Sequence, residues 1–423
     1  MNMAKIAVSC PIDTYSGYGA RARDLVKALL TNKDHQVEIL SQRWGNTRFG
    51  YLKDHNEDEL ASLIVPNLTA TPDVWIQITV PNEFQKVGKY NIGVTAGMET
   101  TLVHETWIQG VNRMDLVLTS TRHGKSSFIN TQYEQKDKKT DKTTGVLKVE
   151  TPIEILFEGA DLTKYFPTKN IKLSLSDITE QFCYLAVGHW MKGDFGEDRK
   201  NIGYTIKSFL EAFKNKPSAP ALVLKTMEVG SSIIDREKIL DKIDAIRKTV
   251  KGKLPNVYLL HGEISDEEMN NLYNHPKIKV MVSFTKGEGF GRPLLEFSLI
   301  GKPIIASGWS GQTDFLDKTM SLLIGGELRN VHKSAAVKDM ILEQSKWFYP
   351  NDQEVAKAYR ETFKHYKKYV PLAREQRKFS KDNYSFDKMT ERLHSILDSK
   401  LPEFPKQVEL SLPKLNLPKL KEA

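Results

Sequence analysis

The chain has 423 residues, of which 40% are hydrophobic and 27% charged, a composition that predicts a globular protein of two domains. No apolar run approaches the roughly 18 residues of a membrane-spanning helix, and residues 1–13 are typical of a first strand rather than a signal peptide. The net charge of +8 favours an anionic partner but is spread along the chain.

The two cysteines, Cys10 and Cys183, both lie in strand-like segments. Two distant cysteines exclude a disulfide framework and a Cys/His metal cluster. We therefore expect buried free thiols and a cytoplasmic protein.

The N-terminal segment predicts a strand, a glycine-containing turn and an amphipathic helix. The strand covers residues 6–8, Gly17 and Gly19 form the turn, and apolar residues recur at helical spacing from 22 to 29. Ligands bind open α/β sheets at this end of a strand. The full G-x-G-x-x-G pattern is missing, which argues against a dinucleotide-dependent dehydrogenase.

Residues 91–122 predict a strand, a short helix and a second strand. Glu99 follows the first strand directly, so it is a candidate for the ligand side of the sheet. His104 and Glu105 come next, and either an acceptor contact or a plain surface loop fits them.

Residues 134–149 are polar and rich in lysine, which predicts a mobile surface loop. The alternative is a basic arm that contacts an anionic acceptor. A strand at 153–157 then closes the first domain, and polar residues 167–180 are typical of a linker.

The second domain opens with a strand at 182–187, followed by Gly188 and a basic loop. Lys192, Arg199 and Lys200 lie in this loop, before a helix that starts near residue 202. Cations at the end of a strand suit a diphosphate, and we favour Arg199 with Lys200 over Lys192.

The most informative segment is a glycine loop that follows the apolar strand at 280–284. Gly289, Phe290 and Gly291 precede a helix that Pro293 starts, so their backbone N–H groups can contact an anion. Glu288 and Glu296 bracket this loop. A nucleotide sugar, with both hydroxyls and phosphates, is a ligand that suits such a pocket.

The segment GEGFGRPLLE resembles the E-x7-E signature of retaining glycosyltransferases of the GT-B fold, family 4 in particular. The resemblance also covers KPIIASGWSGQTDFL, the Glu-Thr pair at 99–100 before a tryptophan-bearing helix, and the element from Glu158 to Asp161. One departure is His189, because an arginine is usual at that position in the family.

The resemblance implies an α/β protein with two Rossmann-like domains facing across a cleft and a C-terminal helix that crosses back. We predict an acceptor domain (1–166), a linker (167–180), a donor domain (181–350), crossing helices (351–398) and an extended tail (399–423). After residue 324 we expect helices, including one around Trp347–Tyr349, and the repeated Leu-Pro-Lys-Leu of the tail could join subunits.

The resemblance also implies the roles of individual residues. Glu296 would hold the ribose of a nucleotide-diphosphate sugar, Glu288 would contact the donor sugar, and Arg199 with Lys200 would stabilise the departing diphosphate. His261 and Ile264 would line the base pocket, Gly17 and Gly19 would face the donor phosphates, and Glu99 would face the acceptor. No metal or other cofactor is expected.

Several alternatives stay open at this point. They are a transferase acting on modified DNA bases, a nucleotide-sugar epimerase or phosphorylase of the same fold, a nucleic-acid-binding protein and an inert scaffold. The sequence identifies neither the base, the sugar nor the acceptor, which could be a glycan, a lipid-linked sugar or DNA.

Overall fold

The computed structural model describes residues 4–137, 139–228 and 230–404. The Leu-Pro-Lys-Leu repeats predicted to form an extended tail lie outside the described residues.

The N-terminal half alternates strands and helices. In chain order it contains β1 (Lys5–Cys10), α1 (Gly17–Leu30), β2 (Gln36–Ser41), α2 (Tyr51–Asp54), α3 (Asp58–Ser62), β3 (Val74–Ile78), β4 (Tyr90–Thr95), α4 (Glu105–Val111), β5 (Leu116–Thr119), α5 (Arg122–Ile129), β6 (Tyr133–Lys136), β7 (Thr143–Leu147) and β8 (Ile153–Ile155).

Its main sheet is parallel, with the order β2-β1-β3-β4-β5-β8 within the described part of the chain. On the outer edge of β2, Ile39 forms a single parallel bridge with Ile64, at the position where a further strand would pair. Central strands such as β1 are buried on both faces, which explains their continuous apolar sequence.

The C-terminal half is a second α/β unit. In chain order it contains β9 (Cys183–Val187), α6 (Ile202–Phe213), β10 (Ala221–Lys225), α7 (Ile233–Thr249), β11 (Val257–Leu260), α8 (Asp266–Asn274), β12 (Ile278–Ser283), α9 (Arg292–Ser298), β13 (Ile304–Ser307), β14 (Leu322–Ile324), β15 (Gly326–Asn330), β16 (Lys346–Pro350), α10 (Asp352–Lys364), α11 (Tyr366–Tyr384) and α12 (Phe386–Lys400).

The C-terminal sheet is parallel, in the order β11-β10-β9-β12-β13-β14. The strand order reverses between β9 and β12, and open α/β sheets bind ligands at such a switch point. The basic loop follows β9 and the glycine loop follows β12, so the fold brings the two predicted site loops together. The two sheets confirm the predicted fold class.

The last helix crosses back to the first half. Met389, Leu393 and Ile396 of α12 are buried in the core that α1 and β1 also form. Ala160 exchanges backbone hydrogen bonds with Tyr384 and Phe386, which ties the crossing to the end of the first domain.

Two expectations need correction. Residues 134–149, predicted to be a mobile surface loop, contain the antiparallel hairpin of β6 and β7. Trp347–Tyr349 lie in β16, which pairs antiparallel with β15, and not in a helix. Residues 167–180 have no helix or strand, but Leu175 and Ile178 are buried in the core of the second domain, so this segment is anchored there.

Candidate active site in the interdomain cleft

The glycine loop lies where the two halves of the molecule touch. A Cβ atom on Gly287 would stand 1.9 Å from the carbonyl oxygen of Glu99, and one on Gly289 would stand 2.9 Å from that of Ala96. Gly291 caps α9 with φ of +102°, a conformation that favours glycine. These glycines therefore allow a close approach between domains as well as a tight turn.

Glu288 is paired with two cations of the basic loop. Lys200 Nζ donates to its carboxylate at 2.6 and 2.8 Å, and Arg199 lies 3.5 Å away. Burial alone would raise the pKa of Glu288, but Lys200 and Arg199 hold it below its usual value. The carboxylate is therefore ionised at neutral pH.

Arg199 connects the two domains. Its guanidinium donates to the carbonyl oxygen of Gly287 at 2.8 Å and lies 3.4 Å from the carboxylate of Glu99. The sequence predicted that Arg199 and Glu99 belong to the site, on the donor and acceptor sides respectively. The structure brings them into one ion pair.

Glu296, the second carboxylate of the loop, has a different environment. Tyr273 donates to it from 3.3 Å, and Arg292 Nε lies 3.9 Å from it. Burial raises the pKa of Glu296 to about 7, although Arg292 opposes the shift. The pKa of Glu296 therefore lies far above that of Glu288 in the same loop.

Arg292 is a site residue that sequence reasoning missed. It lies half-buried between two carboxylates. Its Nη1 contacts Asp24 of α1, and it lies 3.4 Å from Glu158, which follows β8. Asp24 and Glu158 belong to the first domain, so this arginine joins the halves beside Glu296. The acidic turn at Glu158 could have indicated such a partner.

A cavity of about 420 Å³ opens between the domains next to these residues. The first domain contributes Gly17 and Glu158, and the second contributes Gly188, His189, Lys225, Ile264, Tyr273, Arg292 and Glu296. Gly17, Ile264 and Glu296 were predicted from the sequence to contact the donor. The stem of Lys200 lies beside Gly188 at the edge of this cavity, since a Cβ there would meet Lys200 at 3.5 Å.

His189 and Lys225 are two polar groups of the cavity wall. Burial, followed by the charge of Lys200, lowers the pKa of His189, so the ring is neutral at pH 7. Lys225 donates to the carbonyl oxygen of Gly262, and burial lowers its pKa as well.

Three residues predicted for the donor side lie elsewhere. Lys192 is exposed and its Nζ points to the carbonyl oxygen of Ala336 at 3.4 Å. His261 is buried against Asp235, with its Nε2 2.8 Å from the carboxylate, outside the cavity lining. Gly19 packs against the backbone of residue 14, so its role is to let α1 start close to β1.

Phe290 and the acceptor-side residues His104 and Glu105 also lie outside the cavity lining. Phe290 is buried in the core of the second domain beside Phe315. His104 caps α4 and lies 3.4 Å from Asp339, and Glu105 borders a surface depression near the β6–β7 hairpin. Their positions indicate structural roles in capping and domain contact.

A second buried cation lies behind the glycine loop. Lys286 is fully buried, donates to Glu197 at 2.9 Å and lies 3.8 Å from the ring centroid of Tyr349. Nothing in the sequence indicated this cluster, because Tyr349 belongs to the hairpin that we expected to be helical.

Neither a helix long and apolar enough to cross a membrane nor a group of three metal-ligating side chains occurs in residues 4–137, 139–228 and 230–404.

No known family profile matches the sequence, and no curated protein matches it. Solved structures do resemble it. A glycosyltransferase from Rickettsia africae superimposes with a TM-score of 0.62 at 12% identity, over 95% of this chain and 99% of that one. Because the identity is low, the likeness establishes the fold and nothing further. The chain has the GT-B fold.

Two further structures lead to the same conclusion. Sucrose-phosphate synthase from Thermosynechococcus elongatus has a TM-score of 0.61 at 13% identity, over 94% of this chain and 98% of that one. Anabaena HepE, solved with UDP-glucose, has a TM-score of 0.57 at 14% identity, over 94% and 100%. The GT-B architecture therefore extends over nearly the whole chain.

Proposed function

We propose that this protein is a retaining glycosyltransferase that moves a sugar from a nucleotide-diphosphate sugar to an acceptor hydroxyl. The observation that carries the proposal is the glycine loop after β12. It presents an ionised Glu288 next to Lys200, and beside the interdomain cavity a Glu296 whose pKa is raised to about 7 by burial. Two carboxylates with opposite pKa shifts in one loop suit two different groups of one ligand.

Glu296 is proposed to bind the ribose. A carboxyl group at the cavity wall can accept from both ribose hydroxyls, and Tyr273 holds it in place from 3.3 Å. Loss of solvent from this site strengthens such hydrogen bonds. Because these hydroxyls donate to the ionised form, nucleotide binding lowers the pKa of Glu296 and releases protons near pH 7.

Lys200 is proposed to stabilise the charge that develops on the departing diphosphate. In the structure its ammonium is neutralised by Glu288 at 2.6 Å. A bound diphosphate competes for that ammonium, and Glu288 is then available to accept from hydroxyls of the donor sugar. Charge stabilisation at the leaving group is the kind of interaction that accelerates transfer.

Arg199 is proposed to act as a positioning residue. Its guanidinium is held by Gly287, Glu288 and Glu99, and it does not line the cavity. It therefore fixes the orientation of Glu288 and sets the distance between the domains. This differs from the direct diphosphate contact that the sequence suggested.

Retention of the anomeric configuration belongs to the same proposal. The departing phosphate accepts the proton of the acceptor hydroxyl while the new glycosidic bond forms on the face that the phosphate leaves. Neither a metal ion nor any other cofactor takes part in the proposed steps.

A thermal-shift screen with UDP, GDP, ADP and dTDP tests the donor site, since a ligand raises apparent stability by mass action. UDP is the first candidate because HepE was solved with UDP-glucose. We expect one nucleoside diphosphate to raise the melting temperature, and Glu296→Gln to reduce that shift. The Lys192→Ala control lies outside the cavity and should keep it.

The corresponding nucleotide sugar is then incubated with the protein, and the anomer of the released or transferred sugar is read by NMR. Retention supports the proposal. An inverted product, or no response to any of the four nucleotides, contradicts it.

A further inference from the structure

Lys286 is a buried cation that the proposed function does not use. Its side chain is 0% exposed and lies outside the lining of the interdomain cavity, so it contacts neither the donor nor the acceptor. Glu197 and Tyr349 surround it, and we call these three side chains the Lys286 cluster. A lysine that no ligand reaches acts through the residues that it holds.

The cluster lies next to the basic loop that carries Arg199 and Lys200. Residues 188–201 join β9 to α6 without a helix or a strand, and Gly196 in this segment has φ of +73°. A glycine in such a conformation leaves the segment free to follow several paths. The two cations therefore need contacts from outside the loop to keep one position.

Lys286 supplies such contacts at two points of the loop. Its Nζ donates to the carbonyl oxygen of Gly196 at 2.6 Å and to the carboxylate of Glu197 at 2.9 Å. Its backbone N–H donates to the carbonyl oxygen of Arg199 at 2.8 Å. Because Lys200 follows directly, one residue fixes the chain before the two cations and between them.

Tyr349 completes the cluster from β16. Its hydroxyl donates to Glu197 at 2.5 Å, and its ring centroid lies 3.8 Å from Lys286 Nζ. Phe348, the preceding residue, donates its backbone N–H to the carbonyl oxygen of Lys286 at 2.9 Å. Burial alone would raise the pKa of Glu197, but the hydrogen bonds from Tyr349 and Lys286 hold it below its usual value. The cluster therefore holds an ionised carboxylate of the basic loop.

A buried pair of this kind contributes orientation more than stability. The cost of removing two charges from water is about as large as their attraction, so apolar side chains of similar size would stabilise the fold equally well. Hydrogen bonds to a charged group are short and have a defined geometry. An apolar side chain at position 286 would fill the space but leave Gly196 and Glu197 without this donor.

The orientation of the loop matters because the contacts in the site are short. Lys200 Nζ donates to both carboxylate oxygens of Glu288, at 2.6 and 2.8 Å, and Glu288 lies two residues after Lys286. A displacement of the basic loop by about 1 Å would break this contact and move the ammonium away from the diphosphate, and displacements of that size slow catalysis strongly.

We propose that Lys286 is a positioning residue, which holds the basic loop so that Lys200 meets Glu288 and the departing diphosphate. The inference rests on the proposed function and adds to it a residue that acts through Lys200. Lys286 should therefore matter for the diphosphate and for transfer. It should not matter for the nucleoside part of the donor, which Glu296 is proposed to bind.

The full chain tests this with two ligands. The first is whichever of UDP, GDP, ADP and dTDP gives the thermal shift, measured by titration calorimetry, and the second is the matching nucleoside, measured by ligand-observed NMR. Lys286→Met keeps a long side chain and removes the charge. We expect it to weaken the diphosphate by roughly tenfold, as for one lost hydrogen bond to a charged group, and the nucleoside by less than about twofold.

Lys277→Met is the matched control at the other end of β12. Lys277 is half-buried and donates to the backbone carbonyl oxygens of Leu175 and Ile178, so it holds the segment before β9 and not the basic loop. Its replacement should lower the melting temperature and leave the ratio of the two affinities unchanged. A Lys286 with a purely structural role would behave in the same way.

Tyr349→Phe is a milder variant, in case the core does not tolerate methionine at position 286. It keeps the ring, removes the hydroxyl that holds Glu197, and should weaken the diphosphate by roughly threefold.

Transfer gives a second readout. In the Lys200→Ala background, Lys286→Met or Tyr349→Phe should slow single-turnover transfer no further, because a positioning residue has no effect once the group that it positions is gone.

The inference is overturned if the variants of the cluster weaken the nucleoside and the diphosphate equally, or if they bind both ligands like the Lys277→Met control. It is also overturned if their effect on transfer is undiminished without Lys200. Failure of the unaltered protein to bind any of the four diphosphates contradicts the proposed function instead, so the two failures are distinguishable.

Discussion

The two halves of the molecule contain parallel sheets of six strands each, but they place different groups at the cleft. The C-terminal sheet reverses its strand order between β9 and β12, and the loop after β12 carries two carboxylates with opposite pKa shifts, Glu288 and Glu296. The N-terminal half contributes carboxylates that pair with arginines of the other half: Glu99 with Arg199, and Asp24 and Glu158 with Arg292.

This difference separates two tasks. In the proposed function the C-terminal half binds the donor through buried charges held in fixed geometry, as in the contact of Lys200 with Glu288. The N-terminal half, which we propose to bind the acceptor, offers loops that can change without disturbing the sheet. The predictions that follow test how strictly the two halves keep to these tasks.

The largest effect is expected for Lys200→Ala. Removal of the ammonium leaves the diphosphate without its nearest cation, and the buried Glu288 loses its 2.6 Å partner. We expect transfer to slow by about 10²–10³-fold. The measurement is single-turnover transfer at saturating donor, with Lys192→Ala as the control in the same loop. Equal rates for the two variants would place the diphosphate elsewhere.

Glu296→Gln should have the second largest effect, which is a change in how the free energy of unfolding depends on pH. The pKa of Glu296 is raised by burial to about 7, so the folded protein holds a proton that the unfolded chain releases above its ordinary value near 4.5. The wild type therefore keeps its full stability below pH 4.5 and loses about 3 kcal/mol as the pH rises to 7.

Glutamine does not titrate, so the variant escapes that loss. Urea unfolding at pH 4.5 and pH 8 measures it: the variant should gain about 3 kcal/mol on the wild type between the two pH values. The same variant should bind the nucleotide more weakly. A stability difference that does not change with pH would mean that folding does not raise the pKa of Glu296.

The fold and the donor loop could be predicted from the sequence because their signals are local. Buried strands are continuous apolar runs, and the glycine loop combines strand, glycines and a Pro293 start within about 20 residues. The GT-B resemblance followed from that segment. The predicted pairing of the 192–200 loop with this segment is found in the contact of Lys200 with Glu288.

The remaining parts of the site depend on contacts between distant residues. Arg292 is an ordinary helix-start residue until the fold places Asp24 and Glu158 beside it. His261 directly follows β11, as a ligand-binding residue would, yet its ring contacts Asp235 of α7.

Asp24→Asn tests the bridge between the halves and should have a smaller effect. Arg292 keeps Glu158 and Glu296 as partners, so the loss is partial. We expect nucleotide affinity to fall by about 1 kcal/mol, below the cost of breaking a buried pair completely. Calorimetric titration measures it, and small-angle scattering shows whether the domains separate. Unchanged affinity with separated domains would show that the C-terminal half binds the donor alone.

The smallest effect is expected at the exposed edge of the cleft, where Arg48 of the first domain contacts Glu263 of the second at 2.9 Å. Both side chains are more than a third exposed, so water and salt screen the pair. Arg48→Ala should change the nucleotide dissociation constant by less than roughly twofold, and the change should vanish in high salt. A tenfold effect that persists in salt would mean that the donor site is completed by the first domain, and the division of tasks between the halves would then be wrong.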